Sequence, residues 1–405
     1  MTSPSPRPAL STREFIALFA LMMSLTAMSI DAILPALPAI ATDLAIDDAN
    51  SVQLTISMLI FGMAFGEILF GPLSDAIGRK KAIYLGIAIY CLGSLLAIFA
   101  HSLEMLLLGR VVQGLGVSGP KIASRALIRD QFSGNAMARI TSFIMVVFIL
   151  TPMLAPAIGQ AILWIGSWRS IFLAFLLMAL VACLWMGIRQ PETLAKERRI
   201  ALSPAKLLES SKLILCHARV MAYTLTAGVV FGTLLTFIAT SQAMFADLYQ
   251  IEAEFPLYFA LLAFGAGLAA LTNGRLVMRL GMQRLTLCAL GGMLLMGSLY
   301  LLICWLYQGR PPLLLFMLCS FVLFFCHGMV FGNINALGMQ YLGRVAGIGS
   351  SIMSSLSSLV AVAYSIPFGR LYQASAYHIP LSYMLGGLLG LLLVLGVRQR
   401  HENAV

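Results

Sequence analysis

Charge is the scarcest property of this sequence: only 42 of its 405 residues are Lys, Arg, Asp or Glu. A soluble domain carries about 25% charged residues, and at 10% this chain cannot assemble a water-facing surface, which excludes a soluble enzyme or scaffold. Histidine is rarer still. Of His101, His217, His327, His378 and His401, only His327 falls well inside an apolar run. That is too few for a metal-ligand set or nucleophile–base pair at membrane depth, so a membrane enzyme fits poorly. The seven cysteines stand singly with no C-x-x-C pair, so neither a disulfide framework nor a zinc site is implied. No G-x-x-x-x-G-K-[ST] loop occurs, so any transport work must draw on an ion gradient and not on ATP. No Lys/Arg run is interleaved with aromatics, so the net charge of +10 does not point to nucleic acid. The first apolar run lacks a small-residue cleavage pattern and is expected to remain as a span.

What the chain does have is apolar length. Sixty per cent of the residues are apolar, enough for roughly twelve spanning helices at about 20 residues each. Apolar runs fall near 15–40, 52–72, 82–101, 103–125, 139–163, 169–188, 220–243, 255–274, 285–307, 311–335, 345–366 and 377–397. They are too continuous for the alternating strands of a membrane barrel. An all-α integral membrane protein with twelve transmembrane helices follows, both termini on one side.

Charge placement selects that side. The termini and even-numbered loops hold 21 cations against seven acids, among them Arg7, Arg13, Arg79, Lys80, Lys81, Arg125, Arg129, Arg139, Arg344, Arg398 and Arg400. The odd-numbered loops hold Arg169, Arg310 and Arg370 against seven acids. The excess of cations near span ends is expected to face the cytoplasm, which makes both termini cytoplasmic in a multi-pass protein of the cytoplasmic (inner) membrane. Only Asp31, Glu67, Arg110 and Lys121 remain within the spans.

The longest polar interruption divides the runs six and six. It suggests residues 1–190 and 218–405 as two six-helix bundles, with 191–217 a cytoplasmic linker. The halves echo each other: Gly71, Leu73, Gly78 and Lys81 recur, shifted by 203 residues, as Gly274, Leu276, Gly281 and Arg284. Tandem duplication of a six-helix unit is how many secondary transporters are built.

The first of those loops, Gly71-x-Leu73-x-Asp75-x-x-Gly78-Arg79-Lys80, resembles the signature between the second and third helices of the major facilitator superfamily, with Ala76 in place of the usual basic residue. Arg110-Val-Val-Gln113-Gly114-Leu-Gly116 resembles the fourth-helix motif of its proton-coupled members. Pro152-Met-Leu-Ala155-Pro156-Ala-Ile-Gly159 resembles the fifth-helix antiporter motif, although Ala155 and Gln160 stand where Gly is common. Asp31-Ala-Ile-Leu34-Pro35-Ala-Leu37-Pro38 is similar to the first-helix stretch of drug:proton antiporters of the bicyclomycin/chloramphenicol-resistance (Bcr/CflA) type. The resemblance implies two pseudo-symmetric six-helix bundles that expel small organic molecules in exchange for protons by alternating access, without a cofactor. It implies a monomer whose partners are its cargo, protons and the lipid bilayer.

Individual residues acquire expected roles. Asp31 lies in the outer part of the first span, where an ionised carboxylate is costly, and is the expected proton carrier. Ser24 and Ala27 on its stripe are expected to leave room for solvent or cargo, and the competing reading is an interfacial carboxylate capping the Pro35/Pro38 break. The resemblance assigns Arg110 to proton coupling or gating. It makes Gly71, Asp75, Gly78, Arg79 and Asp130 a cytoplasmic latch, with Asp75 capping a helix of the other half and Arg79 bridging Asp75 to Asp130. Glu67 and Lys121 lie at similar depth, and three readings stand open: a neutralising ion pair, a cavity-facing Lys121 that receives an anionic cargo such as a carboxylate siderophore, and snorkelling. Gln113, His327 and Asn333 are candidates for cavity polarity, and Pro152, Pro156 and Gly159 for a kink and close-packing surface. A channel is the remaining rival, but no filter loop is evident.

Overall fold

A computed structural model of the chain describes residues 10–48, 50–132, 134–200, 204–342 and 346–402. The helices are α1 (Thr12–Asp31), α2 (Leu37–Asp43), α3 (Leu54–Ile77), α4 (Arg79–Ile98), α5 (Leu103–Gln131), α6 (Gly134–Ile165), α7 (Trp168–Arg189), α8 (Pro204–Cys216), α9 (Ala218–Tyr249), α10 (Phe255–Leu280), α11 (Met282–Leu306), α12 (Leu313–Met339), α13 (Ala346–Arg370) and α14 (His378–Glu402). Counting α1 and α2 as one interrupted span and setting α8 aside, these are the twelve expected helices. Among the described residues, ten are long and apolar enough to cross a membrane. The other two are α5, the most heavily charged of the long helices, and α6.

Capping explains several starts. Ser11 accepts from the backbone of Glu14 and Ser102 from that of Met105, satisfying donors that the first helical turn leaves free. Gly78 and Gly281 separate α3 from α4 and α10 from α11, with φ of 105° and 78°, a region open to glycine. The positions that match across the 203-residue shift therefore share one backbone conformation, which supports the duplication.

Within the first half α5 packs against α3 and α4, α4 against α7, and α1 against α6. In the second, α9 packs on α13, α14 and α12, and α11 on α12 and α14. The halves meet along two seams, α3 with α13 and α6 with α10. Helix contact without a hydrophobic drive requires small residues at the crossings. A β-carbon on Gly62 would lie 2.0 Å from the carbonyl oxygen of Val111, and one on Gly114 1.9 Å from that of Leu59. The α3–α5 crossing admits no side chain at either place.

Two boundaries correct the sequence reading. The fourth run continues to Gln131 and the fifth begins at Gly134. Arg125 and Arg129, counted as loop cations, therefore sit on the body of α5. Arg7 and Arg344 lie outside the described residues, as do the side chains of Arg139, Arg398 and Arg400.

Candidate functional site

Asp31 is the last residue of α1, followed by a turn and a short 3-10 segment, Leu34–Ala36, that carries Pro35. A carboxylate there faces the negative end of the helix dipole. The side chain is 3% exposed, and its Oδ1 has no hydrogen-bond partner among the described residues. The space expected around it is filled: Ser24 and Ala27 are buried, and Ser24 shares a 2.9 Å hydrogen bond with Thr151 on α6. The fifth-helix motif explains how α6 comes so near. Pro152 and Pro156 lie inside an unbroken α6, and a β-carbon on Gly159 would stand 1.9 Å from the carbonyl oxygen of Ala32, the neighbour of Asp31. Gly159→Val is expected to force α6 off this bend, at about 1–3 kcal/mol for overpacking. Thermal unfolding in detergent would show the loss, together with reduced transport.

Arg110 is fully buried and makes no ion pair among the described residues. Its Nε donates to the carbonyl of Thr55 at 2.9 Å, its Nη2 to that of Ser29 at 2.6 Å and its Nη1 to Gln113 Oε1 at 2.6 Å. The guanidinium also lies 5.8 Å from the ring of Phe172. Gln113 passes the network to Ser94 of α4 at 2.9 Å, so it stands inside the first half and not on a cavity wall as expected. Ser29 in turn hydrogen-bonds the Tyr90 hydroxyl at 2.6 Å. Arg110 thus ties α5 to α3 and to the segment of α1 two residues before Asp31.

Glu67 and Lys121 form an ion pair, which was one of the open readings. Glu67 is completely buried, whereas 18% of the Lys121 side chain remains exposed. Ser358 of α13 donates to the second oxygen of Glu67 at 3.3 Å, so the pair reaches across the seam.

At the termini side, Arg79 bridges Asp75 and Asp130 as the resemblance implies, and its Nη1 also meets Ser74 at 3.0 Å. Gly71 lets α13 approach, since a β-carbon there would lie 2.4 Å from Ser351 Oγ. Residues 343–345, which precede α13, lie outside the described residues, and with them the expected capping of that helix by Asp75. The carboxylate found at a helix N-terminus is Glu192. It accepts from the backbone N–H groups of Arg79 and Lys80, both at 3.0 Å, and closes its own loop through Thr193 and Leu194. Lys80 Nζ donates back to the carbonyls of Gly187 and Gln190 at 2.9 and 2.7 Å. Sequence reading missed Glu192 because nothing local marks it as a helix cap: the α4 donors it serves are more than a hundred residues away. Glu192→Ala is expected to cost about 0.5–2 kcal/mol, the worth of an N-cap, and to expose the 190–200 segment to proteolysis. Cleavage kinetics of the folded protein would check it.

In the second half, Asn333 donates to Asn273 Oδ1 at 2.6 Å and to the carbonyl of Met329, which joins α12 to α10 instead of lining a cavity. His327 is buried between α12 and α9, stacked on Phe331 at 5.7 Å, with Nδ1 unpartnered among the described residues.

A family model described as the Major Facilitator Superfamily matches residues 19–365. The chain is 29% identical over 350 residues to a Bacillus subtilis protein named as the uncharacterized MFS-type transporter YdgK, 85% of each chain being covered. It is 29% identical over 349 residues to the bicyclomycin resistance protein homolog of Haemophilus influenzae, covering 85% of this chain and 86% of the other. It is also 24% identical over 406 residues to multidrug resistance protein D of Escherichia coli, covering 96% and 98%. Its fold superposes on the crystal structure of a D-xylose–proton symporter with a TM-score of 0.76, at 15% identity over 95% of this chain and 96% of the other.

Proposed function

The chain belongs to the Major Facilitator Superfamily, and from that premise we propose that it is a proton-coupled antiporter expelling small organic molecules across the cytoplasmic membrane. The observation that carries the coupling is Asp31, a buried carboxyl with no cation beside it and one oxygen unpartnered among the described residues. An ionised carboxylate without partners is costly at that depth. The group is therefore neutral while enclosed, and gives up its proton only when the opening of one side brings water or a positively polarised partner to it. Two relatives named for bicyclomycin and multidrug resistance support drug-like cargo.

In this mechanism the halves, residues 1–190 and 218–405 joined by a cytoplasmic linker at 191–217, rock about the α3–α13 and α6–α10 seams. Open outward, the cavity lets Asp31 load a proton; open inward, it releases the proton and admits cargo. Gly159 keeps the α6 backbone against the Asp31 bend, so motion of α6 at the seam with α10 is transmitted to the carboxyl. Arg110 positions α1 through the Ser29 carbonyl. The Asp75–Arg79–Asp130 bridge, with Glu192, locks the cytoplasmic side of the first half until the halves separate.

Both termini are cytoplasmic in this reading, one chain suffices, and the proton gradient replaces any cofactor. Membership of a transporter family argues against an enzyme. In everted vesicles with an acid lumen, adding an amphenicol should raise luminal pH saturably. Proton leakage indifferent to cargo would indicate a channel instead.

A further inference from the structure

Lys121, Arg125 and Arg129 follow at four-residue intervals on α5 and so form one row along the helix. The row begins at the buried Glu67 and ends in the last turn of α5. Arg125 and Arg129 are exposed. Arg125 lies within electrostatic reach of Glu67 but, like Arg129, makes no ion pair among the described residues. Asp130, beside Arg129, is engaged by Arg79. Glu67 thus has two cations within its reach, and Lys121 already takes it.

Across the seam, α13 presents hydroxyls at the same level. Ser358 reaches Glu67, and Ser355, on the same face one turn nearer the cytoplasm, is fully buried with its Oγ unpartnered among the described residues. A buried hydroxyl without a hydrogen-bond partner and a guanidinium without an ion pair among the described residues therefore each lie one turn from a member of the Glu67 cluster.

We propose that this row is an anion-accepting subsite of the cargo path. It would take the carboxylate, sulfonate or phosphate group of an otherwise apolar molecule entering from the cytoplasm. Arg125 holds the anionic group in a two-pronged contact, Lys121 contributes the ammonium face that Glu67 leaves open, Ser355 donates its hydroxyl, and Arg129 draws the anion in. The proposal rests on the export reading for its direction, but not for the binding itself.

The test uses two fluorescent probes that share a ring system, the anionic anilinonaphthalene sulfonate and the uncharged phenylnaphthylamine. Both are titrated against the purified full chain in an uncharged detergent. Arg125→Gln is expected to lower the ratio of anionic to neutral affinity about tenfold, the worth of one charge-assisted contact, and Arg125→Lys to restore much of it. A ratio equal to wild type in Arg125→Gln overturns the site. So does displacement of the anionic probe by phosphatidylglycerol but not by a short alkyl sulfonate, which would assign the row to lipid. Cargo-evoked proton movement, measured on the same preparations, separates the two readings. If it is present and the probe ratio is unmoved, only the subsite fails; if it is absent and the ratio falls, only the export reading fails.

Discussion

Asp31→Asn is expected to abolish uphill transport while leaving the protein folded and able to bind cargo. Asparagine keeps the shape of the side chain and fixes it in a neutral form. No ion pair is lost, because Asp31 has none among the described residues. In wild type, each proton falling through about 100 mV supplies about 2.3 kcal/mol, a roughly fiftyfold concentration ratio. In everted vesicles with an acid lumen, the variant should let cargo equilibrate and no more, so the ratio falls to about one. Downhill exchange of labelled for unlabelled cargo should persist. A variant that still concentrates cargo would move the coupling group elsewhere, and among the described residues Glu67 is the other carboxyl buried within the spans.

The second large effect separates Glu67 from Asp31 by its chemistry. Lys121→Met strands a carboxylate that water does not reach, with Ser358 and the more distant Arg125 as its remaining support. Breaking a buried pair from this side is expected to cost about 3–5 kcal/mol. Glu67→Gln leaves instead an ammonium that is already 18% exposed and can turn to water, so its cost should be nearer 1 kcal/mol. The double variant Glu67→Leu/Lys121→Met should recover much of the larger loss, because an apolar pair avoids desolvating two charges. Chemical denaturation in detergent, analysed as a double-mutant cycle, reads both the asymmetry and the recovery. Equal costs for the two single variants would mean that Lys121 does not hold Glu67 in solution.

The spans were legible because continuous apolar length is a one-dimensional signal. The Glu67–Lys121 contact was legible as one of three options because depth can be counted from Asp75 and Arg129 along two helices. The Arg79 bridge was available from its motif. What sequence could not supply was orientation and company. Gln113 and Asn333 look like cavity polarity on a helical wheel, yet each is consumed by a neighbouring helix of its own half. The room foreseen beside Asp31 is filled by α6, because the closeness that Gly159 permits at Ala32 spans 127 residues of sequence. Glu192 gave no signal for the same reason. Arg125 was misplaced by a boundary: α5 continues past the last apolar residues because its final turns carry charge to the aqueous side.

The central claim is exchange of cargo for protons through Asp31, and one measurement bears on it most directly. Purified wild-type and Asp31→Asn proteins are reconstituted in vesicles that carry a luminal pH dye, and labelled amphenicol and luminal pH are followed together. The account predicts saturable accumulation in wild type with simultaneous proton exit, both abolished by a protonophore and both missing in Asp31→Asn. Accumulation in wild type without proton movement, or proton movement that survives in Asp31→Asn, would contradict it.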